Sequence, residues 1–479
     1  MVLILGSSVW AFDLGQHVEE FTLSNGMKWL IVKREGAPVF SGVVMVRVGG
    51  ADEQKGKTGL AHMFEHMAFK GSSKLGTKDW EKEQPLLDEI EALGEKLTAL
   101  EAKPSRHEKE IARLRKNLEE RSAQASRYQL RNEVWEILMR NGANNVNAYT
   151  SKDLTTYHAS MPTSKLGLWA AVTAEMIFEP AFREFYTERS VVSEERRTSV
   201  ENSPEGVLAE KILATAYDAG PYSWSTIGFE KDVEGLTIGD ARRFHKRFYV
   251  PSNMVGVIVG DINPSKVKRI LKEVFGRYPS TSSPKEAITT GSEKGNRKVN
   301  IRFNAEPALA IAYHKPTLPN RQEYVFDVMT SLLCDGRSSW LEKRLIYEDR
   351  LAKDVYCSDG YPGSRFDNLL LIWIEPLKGR SMERIVAAVD EEIGRLKAGD
   401  IEEADLNRVH KQVTASIMFA LDSNEKLAEA LARFQTVFGN WKLLENYPAN
   451  IDSVSLHDVK DTANAYLVKS NRVIVERSR

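Results

Sequence analysis

Gly59-Leu60-Ala61-His62-Met63-Phe64-Glu65-His66-Met67-Ala68-Phe69-Lys70-Gly71 sets two histidines four residues apart, with a glutamate immediately before the second. On an α-helix, positions i and i+4 share a face, so His62 and His66 can reach one cation. Neutral imidazoles suit zinc, and a carboxylate beside a zinc-bound water, as Glu65 would be, can take its proton. The order His-x-x-Glu-His inverts the commoner zinc peptidase motif. Met63, Phe64, Met67 and Phe69 supply an apolar face, so an ordinary amphipathic helix carrying two histidines is the alternative.

A catalytic zinc takes three protein ligands and keeps one position for water. The acidic stretch Thr187-Glu188-Arg189-Ser190-Val191-Val192-Ser193-Glu194-Glu195-Arg196-Arg197 offers a third. Glu188 and Glu195 are two helical turns apart and share a face, and Val191 and Val192 between them predict partial burial. A buried carboxylate needs a partner, for which a cation is the natural choice. A solvated charged helix fits the same residues, and the stretch alone leaves both readings open.

The chain has 479 residues, too many for one compact core, so two large domains are expected. Lys+Arg 66 against Asp+Glu 67 leaves a net charge of -1. That balance gives no electrostatic reason for nucleic acid or an anionic membrane to be the main partner. No run approaches the roughly 20 apolar residues that span a bilayer, so stable membrane insertion is not expected. Cys334 and Cys357 lie too far apart for a zinc thiolate motif; two small half-buried residues are the expectation and a disulfide is the alternative. Met1 to Ala11 is apolar and turns polar at Asp13, so residues 1–13 read as the remnant of a signal peptide. That reading implies a periplasmic or secreted protein; without it the expectation is cytoplasmic.

An internal repeat organises the rest. At an offset of 218 residues, Asp240, Phe248, Val250, Ser252, Asn253, Val255 and Val257 meet Asp458, Tyr466, Val468, Ser470, Asn471, Val473 and Val475. Each copy reads as a helix, a turn at Ser-Asn and an alternating strand. Upstream, Gly71 meets Gly336 at an offset of 265, so the first half holds 47 more residues between these anchors. Leu86, Ile90, Leu93, Leu97 and Leu100 form a coiled-coil seam that breaks at Pro104-Ser105 and resumes at Ile111, Leu114 and Leu118. Residues 80–131 therefore read as an inserted antiparallel helical hairpin. The stretch 279–297 is rich in Ser, Thr, Pro and charge and reads as a linker. Alternating strands over Phe21 to Val32 and Val39 to Val48 open the first half. The expected fold is α+β, with two homologous domains (14–278 and 298–479), each a largely antiparallel sheet packed with helices. At the 265 offset His62, Glu65 and His66 become Asp327, Thr330 and Ser331, so the second domain has no site.

His62-x-x-Glu65-His66, followed by Glu188-Arg189-Ser190-Val191-Val192-Ser193-Glu194-Glu195, resembles the pitrilysin/insulysin family of zinc peptidases, the inverzincins, which also contains mitochondrial processing peptidases. The similarity runs from about Val18 to the C-terminus, interrupted by the hairpin. The resemblance implies one zinc per chain on His62, His66 and Glu195, with Glu188 as a supporting carboxylate behind them and Glu65 as the base. Asn147-Ala148-Tyr149-Thr150-Ser151, with Asp153, Thr156, Tyr157 and Pro162, follows Gly142 and reads as a turn into a strand. By resemblance it is the edge strand that pairs with extended substrate, Asn147 and Ala148 binding it. The implied function is a zinc metalloendopeptidase that hydrolyses unfolded peptides or small proteins inside a closed chamber, of which this chain is half a clamshell. A non-catalytic peptide-binding or assembly scaffold, and a maturase for one precursor peptide, are the alternatives. In the family an Arg and a Tyr from a Leu-Arg-x-x-x-x-Leu-x-Tyr pattern contact the substrate carbonyl. Anchored on Leu351-Ala352, this sequence puts Ile346 and Lys353 there, and Arg344 with Tyr347 has the wrong spacing. The implied partner is a related subunit that lacks the zinc motif, in a heterodimer; the alternative is a homodimer.

Overall fold

Met254-Val255-Gly256-Val257-Ile258-Val259-Gly260 is buried at every position. A strand of apolar residues with no polar alternation must be covered on both faces, and this one sits inside its sheet. The computed structural model describes residues 14–103, 107–280, 282 and 295–479. Its first sheet consists of β1 (Val18–Thr22), β2 (Lys28–Lys33), β3 (Val39–Val46), β4 (Asn144–Thr150), β5 (Thr155–Pro162) and β6 (Met254–Gly260), in the order β1-β2-β6-β3-β5-β4. The second consists of β7 (Arg297–Arg302), β8 (Ala308–Lys315), β9 (Ala352–Tyr361), β10 (Asn368–Pro376) and β11 (Arg472–Ser478), in the order β7-β11-β8-β10-β9. Each sheet has one parallel junction, β2 with β6 and β7 with β11, and is otherwise antiparallel. The stretch Phe21 to Val32 forms two strands rather than one, because Gly26 at φ 90° turns the chain between them.

Along the first half run helices α1 (Leu60–Ala68), α2 (Trp80–Glu101), α3 (Glu108–Ala125), α4 (Phe185–Arg196), α5 (Pro204–Ala216) and α6 (Ile238–Phe248). The second half contributes, among others, α7 (Gln322–Cys334), α8 (Asn424–Phe438) and α9 (Leu456–Tyr466). The repeat is exact at its C-terminal anchors. Helix α6 and strand β6, moved by 218 residues, coincide with α9 and β11. Both helices open with a capping box, Thr237 with Asp240 and Ser455 with Asp458. Asn253 donates to the carbonyls of Phe248 and Arg47, and Asn471 to those of Tyr466 and His314, so one side chain closes the helix-to-strand turn in each copy. The 265 offset carries α1 into α7, and Gly71 and Gly336 both have φ near 80°.

Each half lends a helix to the other's sheet. Leu427, Ala428, Leu431 and Ala432 of α8 pack on Leu30, Val32, Val43, Met45, Val255 and Val257 of the first sheet. Leu208, Ile212, Leu213 and Ala216 of α5 pack on Ala310, Ala312, Leu369, Leu371 and Val473 of the second. The remaining face of each sheet is covered by its own half's helices.

Helices α2 and α3 form the expected antiparallel hairpin, its Pro104-Ser105 turn lying outside the described residues. The seam is real, and its base belongs to the main core, where Leu87, Ile90, Leu97, Leu114 and Leu118 are buried. Glu83 of α2 is fully buried and takes both guanidinium arms of Arg183, at 2.7 and 3.0 Å. Arg183 also donates to the carbonyls of Lys70, Ser72 and Leu75, holding the loop after α1. Towards its tip the hairpin stands clear of α4, across an open groove of about 1430 Å³ between Leu100, Ile111 and Tyr186. Replacing residues 101–111 by a short Gly-Ser turn should leave the fold intact. Glu83→Ala should cost about 3–5 kcal/mol, since it strands a buried guanidinium, and denaturant titration measures both.

Of the 279–297 stretch, 281 and 283–294 lie outside the described residues, as do 1–13; Arg297 already belongs to β7. The cysteines correct the sequence expectation. Cys334 and Cys357 form a disulfide, with Cα atoms 5.7 Å apart, because the end of α7 packs against β9. Spacing in sequence could not reveal that approach. Closing a loop of this size is worth about 3 kcal/mol. Reduction should lower the unfolding midpoint accordingly, and thiol titration of the unreduced, unfolded protein should find no free cysteine.

Candidate metal centre

Helix α1 is short and starts abruptly. Gly59 precedes it at φ 85°, a left-handed conformation that glycine adopts without strain. The cap comes from Glu53, whose carboxylate accepts from the Gly59 amide at 3.0 Å and the Ala61 amide at 2.8 Å. Met63, Phe64 and Met67 are fully buried, Phe64 lying against His245 and Tyr249. That fixes the rotation of the helix and turns His62, Glu65 and His66 to its half-buried face.

Helix α4 lies across this face. Its Glu195 carboxylate is 3.7 Å from His62 Nε2 and 3.7 Å from His66 Nε2. One donor atom from each of the three residues lies within 4.8 Å of the others. Two imidazoles and a carboxylate converging with room for one ion make a donor set that fits zinc. Glu188, two helical turns back along α4, meets the other nitrogen of His66, Nδ1, at 3.2 Å. Val192 between the glutamates is buried and Val191 exposed, so only one of the two valines anchors α4.

The electrostatics favour a cation here. Burial, helped by the neighbouring His66, pushes His62 down to about 4, which keeps it a neutral donor. Burial also lowers His66, but Glu188, Glu65 and Glu195 outweigh it and the net shift is upward. The hydrogen bond from His66 holds Glu188 below the usual carboxylate range. Glu65 moves up, chiefly by burial. Its carboxyl faces Thr150, the last residue of β4. His62 Nδ1 is buried without a partner among the described residues. His66 is oriented by a carboxylate and His62 is not.

Strand β4 pairs only with β5 and is the open edge of the first sheet, beside α1. Asn147 is exposed on it and Ala148 is buried, pairing with Tyr157. The sequence-predicted residues are thus brought to one place, with Asn147 and Ala148 along the strand that flanks the helix. Sequence reasoning missed Lys70, which donates to Glu188 at 2.6 Å and Glu184 at 3.0 Å. Lying one helical turn beyond His66, it could have been read as a partner for the acidic helix. It also missed the Glu53 cap, whose only signal was a carboxylate shortly before the helix.

Two family descriptions match successive parts of the chain. The insulinase family, peptidase family M16, matches residues 30–107 and 118–229, and the peptidase M16 inactive domain matches 235–413. The chain belongs to peptidase family M16. Zinc protease PqqE of Helicobacter pylori is 26% identical over 475 residues, 97% of this chain and 94% of its own length. Uncharacterized zinc protease YmxG of Bacillus subtilis is 24% identical, over 93% of this chain and 95% of its own. The crystal structure of a protease from Helicobacter pylori superposes with a TM-score of 0.80 at 25% identity, covering 96% of this chain and 99% of that one. The fold is that of the two-domain M16 peptidases. The inactive-domain match begins at residue 235, ahead of β6, which belongs to the first sheet; the reciprocal packing blurs any cut between M16 halves here.

Because Glu188 orients His66, Glu188→Gln should weaken zinc binding about 10–100-fold while leaving one site per chain. Competition with a chromophoric chelator measures it. Lys70→Met should act in the same direction and more weakly.

Proposed function

We propose that this chain is a zinc metalloendopeptidase that cleaves unfolded peptides or small proteins. The observation that carries the reading is the convergence of His62, His66 and Glu195 within 4.8 Å, with Glu65 on the same helix and facing the open edge strand. Bound there, zinc would supply a Lewis acid for the scissile carbonyl and acidify a water. Glu65 takes a proton from the attacking water and returns it to the leaving amine, a role suited to a carboxyl lifted by burial. An extended peptide laid along β4 would complete the sheet through main-chain hydrogen bonds, and Asn147 and Ala148 lie on its path.

A second subunit is part of the proposal. Arg344 is engaged by Asp349 and Glu391, and Tyr347 donates to Glu342, so neither is arranged toward a substrate. Lys353 pairs with Glu375. With these side chains engaged inside the chain, the arrangement favours a related chain that brings the Arg and Tyr, in a heterodimer. The periplasmic protease PqqL of Escherichia coli supports a two-part chamber, since this chain spans 48% of its length at a TM-score of 0.70. Among the described residues no helix is long and apolar enough to cross a membrane. The disulfide favours an oxidising compartment such as the periplasm.

Zinc analysis of the purified chain should find one ion, lost in His62→Ala. Glu65→Gln should keep the ion and lose at least about 100-fold in peptide turnover. Alone, the chain should cleave poorly, and adding the related subunit should restore rate. Full turnover by Glu65→Gln would sink the base assignment, and strong activity of the chain alone the heterodimer.

A further inference from the structure

The turn between β9 and β10, which belongs to the second half, reaches into the first half, where it meets Asp52, Asp153 and Tyr222. Arg365, its side chain 2% exposed, donates to Asp52 at 2.9 Å. The backbone amides of Ser364 and Arg365 donate to Asp153 at 2.5 and 3.2 Å, and Tyr222 donates to the same carboxylate at 2.5 Å. Gly363 leaves no room for a side chain, which would meet Asp153 and Tyr222. Arg433 of α8 donates to Ser364 and holds the turn from behind.

The two acceptors sit at strategic points. Asp52 is followed by Glu53, whose carboxylate caps α1. Trp224 donates to Glu53 at 3.3 Å and to the Gly50 carbonyl at 3.1 Å, while Lys152 donates to the Trp224 carbonyl at 2.7 Å. Asp153 and Lys152 follow directly on β4, the strand whose Thr150 faces Glu65. The amides of Gly50 and Ala51 donate to the carbonyls of Ser151 and Lys152, tying the two segments together. The turn therefore clamps both, its Arg365 side chain holding Asp52 on the approach to helix α1 and its backbone amides holding Asp153 beyond the edge strand.

We propose that Arg365, acting through Asp52 and Glu53, is a positioning residue for the metal centre, so that the half without ligands sets the geometry of the half with them. This deepens the proposed zinc peptidase function and rests on it for the metal readout. Four forms of the full chain decide it: wild type, Arg365→Met, Arg365→Lys and Val389→Ala. Val389 is a fully buried residue of the second half's core; its truncation serves as a control that destabilises without touching the turn. In metal-free protein, amides of residues 59–68 should exchange at least ten-fold faster in Arg365→Met than in Val389→Ala. The zinc dissociation constant should rise at least ten-fold in Arg365→Met, about the effect of losing a partner that orients a ligand. The visible spectrum of the cobalt-substituted protein should change with it. Arg365→Lys, which keeps charge without the planar fork, should lie between. Wild-type exchange and affinity in Arg365→Met would overturn the proposal, as would equal changes in Val389→Ala. Should Arg365→Met fail to fold, wild-type behaviour of Arg365→Lys overturns it instead. A wild-type chain that takes no zinc would defeat the functional reading, and the exchange comparison would still decide this one.

Discussion

A sheet with two apolar faces must be covered twice, and in this chain half of that cover comes from the other domain. Leu427 and Leu431 of α8 lie on the first sheet, and Leu208 and Ile212 of α5 on the second. Each fully buried leucine or isoleucine contributes about 1.5–3 kcal/mol, so the exchanged faces together rival the net stability of a whole domain. Neither half can be lifted away without wetting Val43, Met45, Val255 and Val257 on one side or Ala310, Leu371 and Val473 on the other. The two copies are one folding unit in the energetic sense, whatever their separate ancestry.

That coupling has a chemical consequence. Helix α1 is nine residues long and would be marginal in isolation. Its rotation is set by Phe64 against His245 and Tyr249, its start by Glu53, and its far end by Arg183, which gathers the loop carbonyls of Lys70, Ser72 and Leu75. Helix α4 is held to it by Lys70 bridging Glu188 and Glu184, and at its other end by Arg196 on Glu210. The placement of the three donor atoms therefore rests on charged and hydrogen-bonded groups as well as on packing. Apolar packing alone fixes orientation much less sharply.

The parts of this arrangement legible in the sequence were those encoded at short range. His62 and His66 share a face because the helical period requires it, and the 218-residue repeat declared both the duplicated topology and one inner strand of each sheet. The hairpin showed itself by its seam. What stayed hidden depends on which surfaces meet. The α5 and α8 exchange cannot be read from amphipathic patterns that name no partner. Cys334 and Cys357 approach only because α7 packs on β9. Glu195 was one of several carboxylates on an acidic helix, and only its distance from the two imidazoles singles it out within the chain. The base of the hairpin was hidden too, since Glu83 reads as an ordinary surface glutamate until Arg183 is found against it.

The second half shows what such a scaffold does with acidic groups when the histidines are absent. At the position matching His62 stands Asp327, whose carboxylate accepts from Tyr447 at 2.5 Å and is pushed well above its usual range by burial. Nearby, the ammonium of Lys315, itself fully buried, pairs with Asp359 at 2.7 Å and with Glu323. Several carboxylates crowded into a low-dielectric interior cannot all ionise without a compensating charge. In the first half the acidic groups around His66 leave a demand for positive charge that an external ion can meet. In the second, Lys315 meets it from within, and Tyr447 donates to the Asp327 carboxylate. Because the internal cation is covalently part of β8, it holds the corner between β8, α7 and β9 closed, next to the disulfide that joins the last two. The same fold thus gives an open, cation-seeking cleft where imidazoles are present. Where they are replaced it gives a corner neutralised from within, the Lys315 pairs tying β8 to α7 and β9.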